Sequence, residues 1–409
     1  MSRALEGVRV VELCEVMQGP LAGQALGDLG ADVIKVERGP RGDAMRTLDR
    51  AAVEAGKVSA YFVALNRNKR SIVLNLKSPA GMDILHRLLA DADVLVHNYR
   101  PRAVAKLGLS YEDIAERYPR LVYAGASGYG DTGPLAHKPG QDMLAQSVSG
   151  LARAVGNPEL GSYLNPTAQV DYASGMSLVQ GILAALLERE RSGRGQEVRV
   201  NLLDTAVTMQ MMEAAAHTMY AQELNWVTQW YSGTFPTTDG VITVLGLFRE
   251  NAVRLICGAL GIPDLSLRPE LATTDLQARN KKLANDVFAP IVAGLTTQQA
   301  LDRFEEADLL CAPQLTLAEA LRHPQLAANG LLVDVDVAGG GRARVVGYPV
   351  HLSRSPGEVR GEVPRLGQHT GDVLADLGLT RDQIDDLVRA GVAGTDRALR
   401  AEAYAQNYV

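Results

Sequence analysis

The residues of this chain that could do chemistry are one carboxylate before an apolar segment and a series of cations beside β-like runs. Asp171 stands in NPTAQVDYASG, ahead of a helix-period stretch whose apolar positions include Met176, Leu178, Ile182, Leu183 and Leu186. An aspartate there can be an N-cap that satisfies free amides of the first turn, worth roughly 1 kcal/mol. It is also flanked by Ala168, Ala173 and Gly175, small residues that leave room for a ligand beside the carboxylate. On the residues alone both readings stand.

The cations lie in three segments. VERGPRGDAMR carries Arg38, Arg41 and Arg46; NRNKRSIVLNLKSPAG carries Arg67, Lys69, Arg70 and Lys77; HNYRPRAVAKLGL carries Arg100, Arg102 and Lys106. A further segment, CEVMQGP, enters a helix through Gly19 and Pro20, and GASGYGDTGPLAHKPGQDMLAQSVSG adds a glycine-rich polar stretch. Taken singly, an arginine after a strand is a solvated surface charge. Together these cations are expected on one rim, because open α/β sheets bind ligands at their strand ends.

The elements that must position these groups follow from periodicity. VRVVEL (8–13) reads as a strand, PLAGQALGDLGA (20–31) as a helix with proline in its first turn, and DVIKVE (32–37) as the next strand. This βαβ pattern recurs through strands at 94–99, 121–130 and 197–203, and five strands alternating with helices point to a doubly wound parallel α/β sheet. After about Asp204 a Met-rich stretch, expected as adaptable core packing, leads to Trp226 and Trp230 and to a hairpin turned at Asp239-Gly240. Residues near 250–325 read as helical, and two β runs follow around Gly339, Gly340 and Gly341, a hairpin connection. The expected organisation is a large domain over 1–225, a smaller domain over 226–325, and a return to the first over 326–409.

Composition bounds the function. The chain has 409 residues with a net charge of −6, and 46% of its residues are apolar. That excludes disorder as the main theme and argues against wholesale adsorption to nucleic acid or anionic lipid, while allowing a local basic pocket for a phosphorylated ligand. Three scattered cysteines suggest neither a disulfide framework nor a zinc cluster, and the histidines form no ligand cluster, so no metal site is expected. No secretory leader is recognisable, and no uncharged apolar run reaches the roughly 18 residues of a membrane span. A soluble, cytoplasmic protein is expected. GxGxxG after the first strand, GxxxxGK[ST], HExxH and GxSxG are all missing, which lowers nicotinamide, nucleotide-triphosphate, zinc-protease and serine-hydrolase chemistry.

As an ordered set, the segments LEGVRVVEL, LGADVIKVE, GPRGD, NKRSIVLNLK, NYRP with KLGLSYEDI, PRLVYAGASGYGDTGP, GQDMLAQSVSG, AALLERERSGRGQEVRVNLLD and LGQHTGDVLADLG resemble the class III coenzyme A-transferases, the family of formyl-CoA transferase and carnitine CoA-transferase. The resemblance implies a large Rossmann-like domain formed by both chain ends, a smaller α+β domain, and two subunits threaded as an interlocked homodimer. It implies Asp171 as the nucleophile. It further implies coenzyme A against Val16, Met17, Gln18, Arg38, Leu74, Asn75, Lys77, Asn98, Tyr99, Arg100, Lys106, Gln141 and Asp142. Coenzyme A enters as substrate, with no permanently bound cofactor, and its partner is a carboxylic acid.

Two other readings compete. The α-methylacyl-CoA racemases of the same superfamily place a histidine where this chain has Gln141, and glutamine cannot exchange a proton near neutral pH. A non-catalytic acyl-CoA-binding protein is opposed by the joint presence of Asp171, Arg38 and Lys77. Where formyl-CoA transferases carry a glycine-rich loop in the small domain, this chain has TVLGLFRENAVRL, and their loop glutamine is Met17 here with Gln18 adjacent. These departures turn the expectation away from formate and oxalate and leave Arg249 and the two tryptophans as possible contacts to a larger acid.

Overall fold

The computed structural model describes residues 3–154, 163–338 and 341–399. The described chain divides into two compact units, Met1–Leu151 with Leu164–Met209 and Gly330–Val409, and Ala152–Tyr163 with Gln210–Asn329.

In the first unit the chain runs through β1 (Arg9–Leu13), α1 (Gln18–Asp28), β2 (Asp32–Glu37), β3 (Lys69–Leu74), α2 (Pro79–Ala90), β4 (Val94–His97), α3 (Pro101–Lys106), β5 (Val122–Ser127), α4 (Asp142–Val148), α5 (Gln169–Ser192) and β6 (Glu197–Asn201). The second unit contributes α6 (Met211–Tyr220), β7 (Ser232–Pro236), β8 (Val241–Leu245), α7 (Ala252–Leu260), α8 (Lys281–Val292), α9 (Thr297–Glu306) and β9 (Leu310–Pro313). The chain then returns to the first unit as β10 (Leu332–Val337), β11 (Arg342–Val346), β12 (Glu362–Val363), α10 (Thr370–Asp376), α11 (Arg381–Arg389) and β13 (Ala393–Gly394).

The seven-stranded sheet has the order β13-β3-β2-β1-β4-β5-β6. All its pairs are parallel except β13 with β3, and β1 meets β2 in the register Arg9↔Asp32 and β4 in the register Val10↔Val94. The order reverses between β1 and β4, which is where a doubly wound sheet opens a crevice for ligands. The expected five strands fall short by β3, whose opening cations resemble a loop, and by β13, two residues long and below any periodicity. Each β residue sends its side chain to the face opposite its neighbours'. Val10 and Cys14 join Val33, Val94, α1 and α5 on one face, whereas Val11 and Leu13 join Ile34, Ile72, Leu95 and α2 on the other.

Helix α5, 24 residues long, is long and apolar enough by composition to cross a membrane, but its Leu178, Val179, Ile182, Ala185 and Leu186 pack in the core under the sheet. Burial of each such side chain contributes about 1.5–3 kcal/mol.

The second unit encloses its own core of Tyr231, Phe235, Ile242, Val253, Phe288 and Phe304. Its hairpin pairs Phe235 with Ile242 in the antiparallel register, and β9 completes the sheet order β7-β8-β9. The Met-rich stretch corrects the expectation of core packing: Met211, Met212 and Met219 on α6 are 63%, 56% and 66% exposed. Strands β10 and β11 pair antiparallel, as the β runs there suggest, while Gly339 and Gly340 of their connection lie outside the described residues.

Candidate functional site

The site begins where β1 ends. The chain leaves the sheet at Cys14 and enters α1 at Gln18, and between them Val16 adopts a φ of 71°, a left-handed conformation rare for a β-branched residue. Four bonds hold it there. The Val16 amide donates to Asp43 Oδ1 at 3.0 Å, the Glu15 amide to Asn98 Oδ1 at 3.0 Å, Asn98 Nδ2 to the Glu15 carbonyl at 2.7 Å, and Lys35 Nζ to the Cys14 carbonyl at 2.7 Å. Asn98 comes from the end of β4, so the two strands at the reversal point grip each other's loops.

Beneath the loop is a fully buried ionic cluster. Lys35 Nζ lies 2.9 Å from Glu12 and 2.9 Å from Asp43, and Lys69 Nζ lies 2.8 Å from Glu12. Burial works against the Lys35 ammonium, but Glu12 and Asp43 hold its pKa above the ordinary lysine value. Charges this deep persist because each is paired and hydrogen-bonded. Sequence reading does not find this cluster, since Glu12 and Lys35 occupy strand positions that alternation assigns to ordinary faces and Lys69 is expected on the rim.

The second wall comes from α5. Asp171 is the third residue of this helix, whose N-cap is Ala168, so the aspartate is not an N-cap. The capping is done from outside: Asp142 Oδ2 accepts the backbone amides of Val170 at 2.8 Å and Asp171 at 2.9 Å, while Oδ1 accepts Gln146 Nε2 at 2.6 Å. Gln146 Oε1 in turn accepts the Asn165 amide at 2.8 Å, which ties down the segment entering the helix. Burial, with a further contribution from the Asp142 charge, pushes the Asp171 pKa up to about 6. The carboxylate is therefore ionised at neutral pH yet poorly solvated.

Two close backbone approaches bring these walls together. A Cβ on Gly175 would fall 2.8 Å from the Gln18 carbonyl oxygen, so α5 and α1 touch because residue 175 has no side chain. Gly128 and Gly140 cross so closely that a Cβ on either would meet the other's Cα at 2.2–2.3 Å, which seats the Gly140-Gln141 turn on the end of β5.

The result is a cavity of about 550 Å³ lined by Val16, Met17, Gln18, Arg38, Asn98, Tyr99, Arg100, Gln141 and Asp171. It shares Glu15, Arg38, Tyr99 and Ala103 with a larger cleft of about 1140 Å³, to which Leu74, Asn75, Lys77 and Lys106 belong. Asp142 lies behind this lining, 2% exposed, with both carboxylate oxygens used in the capping described above. Gln18 is 5% exposed and its Nε2 has no protein acceptor among the described residues.

The cations expected on one rim divide. Arg38, Lys77, Arg100 and Lys106 line the two clefts, joined by Lys138 from the glycine-rich stretch. The others are corrected to structural or peripheral positions. Arg46 pairs with Glu37 at 2.7 Å, Arg67 with Asp28 at 2.6 Å, Lys69 with Glu12, and Arg70 with Asp32 at 2.6 Å, while Arg41 and Arg102 are exposed and line neither cleft. Arg46, Arg67 and Lys69 are drawn inward by carboxylates that are themselves buried, Glu37, Asp28 and Glu12, and no local sequence signal reports it. Sequence reading also misses the wall of the larger cleft formed by Val388, Val392, Ala393, Gly394 and Leu399, which come from the far end of the chain.

In the second unit Arg249 is not a free cation: its Nη2 reaches Asp308 Oδ1 at 2.8 Å and its Nε donates to the Asp308 carbonyl at 2.6 Å, next to Phe248, which is 76% exposed. Among the described residues no group of three or more His, Cys, Asp or Glu side chains is disposed to hold a metal ion.

A family model described as CoA-transferase family III matches residues 5–370. Succinyl-CoA:glutarate CoA-transferase of Mus musculus is 35% identical over 397 residues, covering 95% of this chain and 90% of the relative. Formyl-CoA:oxalate CoA-transferase of Escherichia coli O157:H7 is 31% identical over 416 residues, covering 94% and 98%. The fold is similar to a crystal structure of a CaiB/BaiF family protein from Brucella suis, with a TM-score of 0.83 at 28% identity over 92% of this chain and 100% of that one.

Proposed function

Because the chain belongs to CoA-transferase family III and is an enzyme of that class, we propose that it passes coenzyme A from a donor acyl-CoA to an acceptor carboxylic acid with Asp171 as the covalent nucleophile. The observation that carries this reading is the pairing of a half-buried, ionised carboxylate with two adjoining clefts whose cations are Arg38, Lys77, Arg100, Lys106 and Lys138. Phosphates bind such cations, and the thioester end of the same molecule then reaches the carboxylate.

The sequence of bonds is as follows. An Asp171 oxygen attacks the thioester carbonyl; the carbon–sulfur bond breaks and coenzyme A leaves as thiolate, giving an aspartyl-acyl anhydride. The thiolate attacks the aspartyl carbonyl, releases the donor acid as its carboxylate and forms an aspartyl-CoA thioester. The acceptor carboxylate attacks that thioester and expels the thiolate, which then attacks the acceptor's acyl carbon, forming the new acyl-CoA and freeing Asp171. An anhydride retains the energy of the thioester, whereas attack by water would dissipate it. The Gln18 amide, buried and without an acceptor among the described residues, is suited to donate to the oxyanion of these steps.

The reading extends to assembly. We take the first compact unit as the coenzyme-binding domain built from both chain ends, the second as the smaller domain, and the working form as an interlocked homodimer in the cytoplasm. The exposed methionines of α6 are the apolar surface that a partner subunit would cover. Light scattering on the purified protein tests this, and a monomer at micromolar concentration would refute it.

The test of the chemistry is incubation with succinyl-CoA and a panel of carboxylic acids headed by glutarate, with mass spectrometry of the enzyme. An adduct on the Asp171 peptide that hydroxylamine removes, and loss of turnover in Asp171→Ala, are expected. Undiminished turnover in that variant would end the proposal. Exchange of the α-proton of a 2-methylacyl-CoA without an acceptor would replace it with racemisation.

A further inference from the structure

Glu15 stands where the two clefts meet, and its carboxylate grips Arg38 in two contacts: Arg38 Nε to Oε1 at 3.1 Å and Nη2 to Oε2 at 3.2 Å. The arginine side chain is 71% exposed and the glutamate 25%. The glutamate's backbone is immobilised, because Asn98 bonds both its amide and its carbonyl. Only its side chain can turn.

Two other described carboxylates line these clefts, and neither is placed as Glu15 is. Glu37 is buried and taken up by Arg46 and Ser71. Asp171 lies at the reacting end. Glu15 is thus the one described carboxylate set among the cations that a polyanionic ligand would use, and it pairs with a guanidinium whose side chain is 71% exposed. Burial already pushes its pKa above the ordinary carboxylate range, so it is held there against its own solvation.

We propose that Glu15 is a counter-charge that weakens the hold of the cleft on the phosphates of coenzyme A: it neutralises Arg38 when the cleft is free, gives the arginine up when the phosphates arrive, and repels them while they stay. The proposal rests on the coenzyme reading above. A transferase must let its product go in every cycle, and binding that is equally strong in ground state and transition state does not raise the turnover of a saturated enzyme. A cleft with five cations and no opposing charge would hold the nucleotide end tightly through every intermediate.

The test compares wild type with the isosteric Glu15→Gln, and with Glu15→Ala as a second variant, by calorimetric binding of coenzyme A and of pantetheine, which lacks the phosphates. The expected result is a Kd for coenzyme A about three- to tenfold lower in both variants, with pantetheine unchanged and the gain shrinking as salt screens the charges. Unchanged or weaker coenzyme A binding in the variants would overturn the proposal, as would an equal gain for pantetheine. Failure of the wild type to bind coenzyme A at all would remove the coenzyme reading and this one with it.

Discussion

The carboxylate of Asp142 accepts the backbone amide of Asp171 at 2.9 Å, so the charge that fixes the position of the proposed nucleophile also opposes its ionisation. One buried acid thereby fixes where the second carboxylate sits and adds to the burial that already raises its pKa. Their spacing in sequence, 29 residues, conceals the relationship entirely.

Activity should fall as pH drops through about 6, where Asp171 becomes protonated and ceases to be a nucleophile. Replacing Asp142 with Asn removes the repelling charge while an acceptor oxygen remains for the helix amides. The acid limb of kcat/KM should then move to lower pH, with a loss of roughly 1 kcal/mol in stability from weaker capping. An unmoved limb would show that burial alone sets the pKa.

Stability should respond in the opposite sense to that of a salt-bridged aspartate. The folded-state pKa of Asp171 is raised from 3.8 to about 6, so its contribution is fully present below the unfolded value and is lost as pH rises through 6. Asp171→Asn removes that titration. The variant should match wild type near pH 4 and exceed it by about 1–2 kcal/mol at pH 8, a figure discounted for partial exposure. Urea melts at the two pH values decide it; a variant less stable at pH 8 contradicts the account.

Asp43 supports the loop between β1 and α1 from beneath, through the Val16 amide, and balances Lys35. Asp43→Ala leaves that lysine with one carboxylate fewer in a site without water access, and a loss of about 3–5 kcal/mol is expected. Lys35→Met with Asp43→Leu, which removes charge from both sides, should cost less than the sum of the single changes. Additive losses in a double-mutant cycle would mean the two do not act as a unit.

Gln18 offers the reverse pattern. Its amide nitrogen is buried and without an acceptor among the described residues, so Gln18→Leu should not destabilise the free enzyme and can stabilise it by about 1 kcal/mol. Turnover should nevertheless fall about tenfold or more, as for loss of an oxyanion donor. Thermal melts paired with kcat measure both; a stable variant with full turnover would remove Gln18 from the chemistry.

Much of the scaffold was legible in the chain itself, because strand alternation and helix period are local properties. VRVVEL, DVIKVE and the run before Asn98 are strands because alternate side chains enter the cores on the two faces of the sheet, and α5 is a helix because Leu178, Ile182 and Ala185 recur at its period. The type and order of the chemistry-bearing segments were equally visible, as was the candidate nucleophile.

What the tertiary structure alone decided is which like residues differ. Arg38 and Arg67 read alike, yet one faces a cleft and the other is buried against Asp28. Asp142 and Asp171 are both aspartates at the start of a helix, yet one caps the helix that carries the other. The physical reason is that electrostatics and desolvation depend on distance and burial, and these are set by contacts between residues tens or hundreds of positions apart. The wall supplied by Val388–Leu399 and the Glu15–Arg38 pair exist only once β1, β2 and β13 lie in one sheet, so no window of sequence contains them.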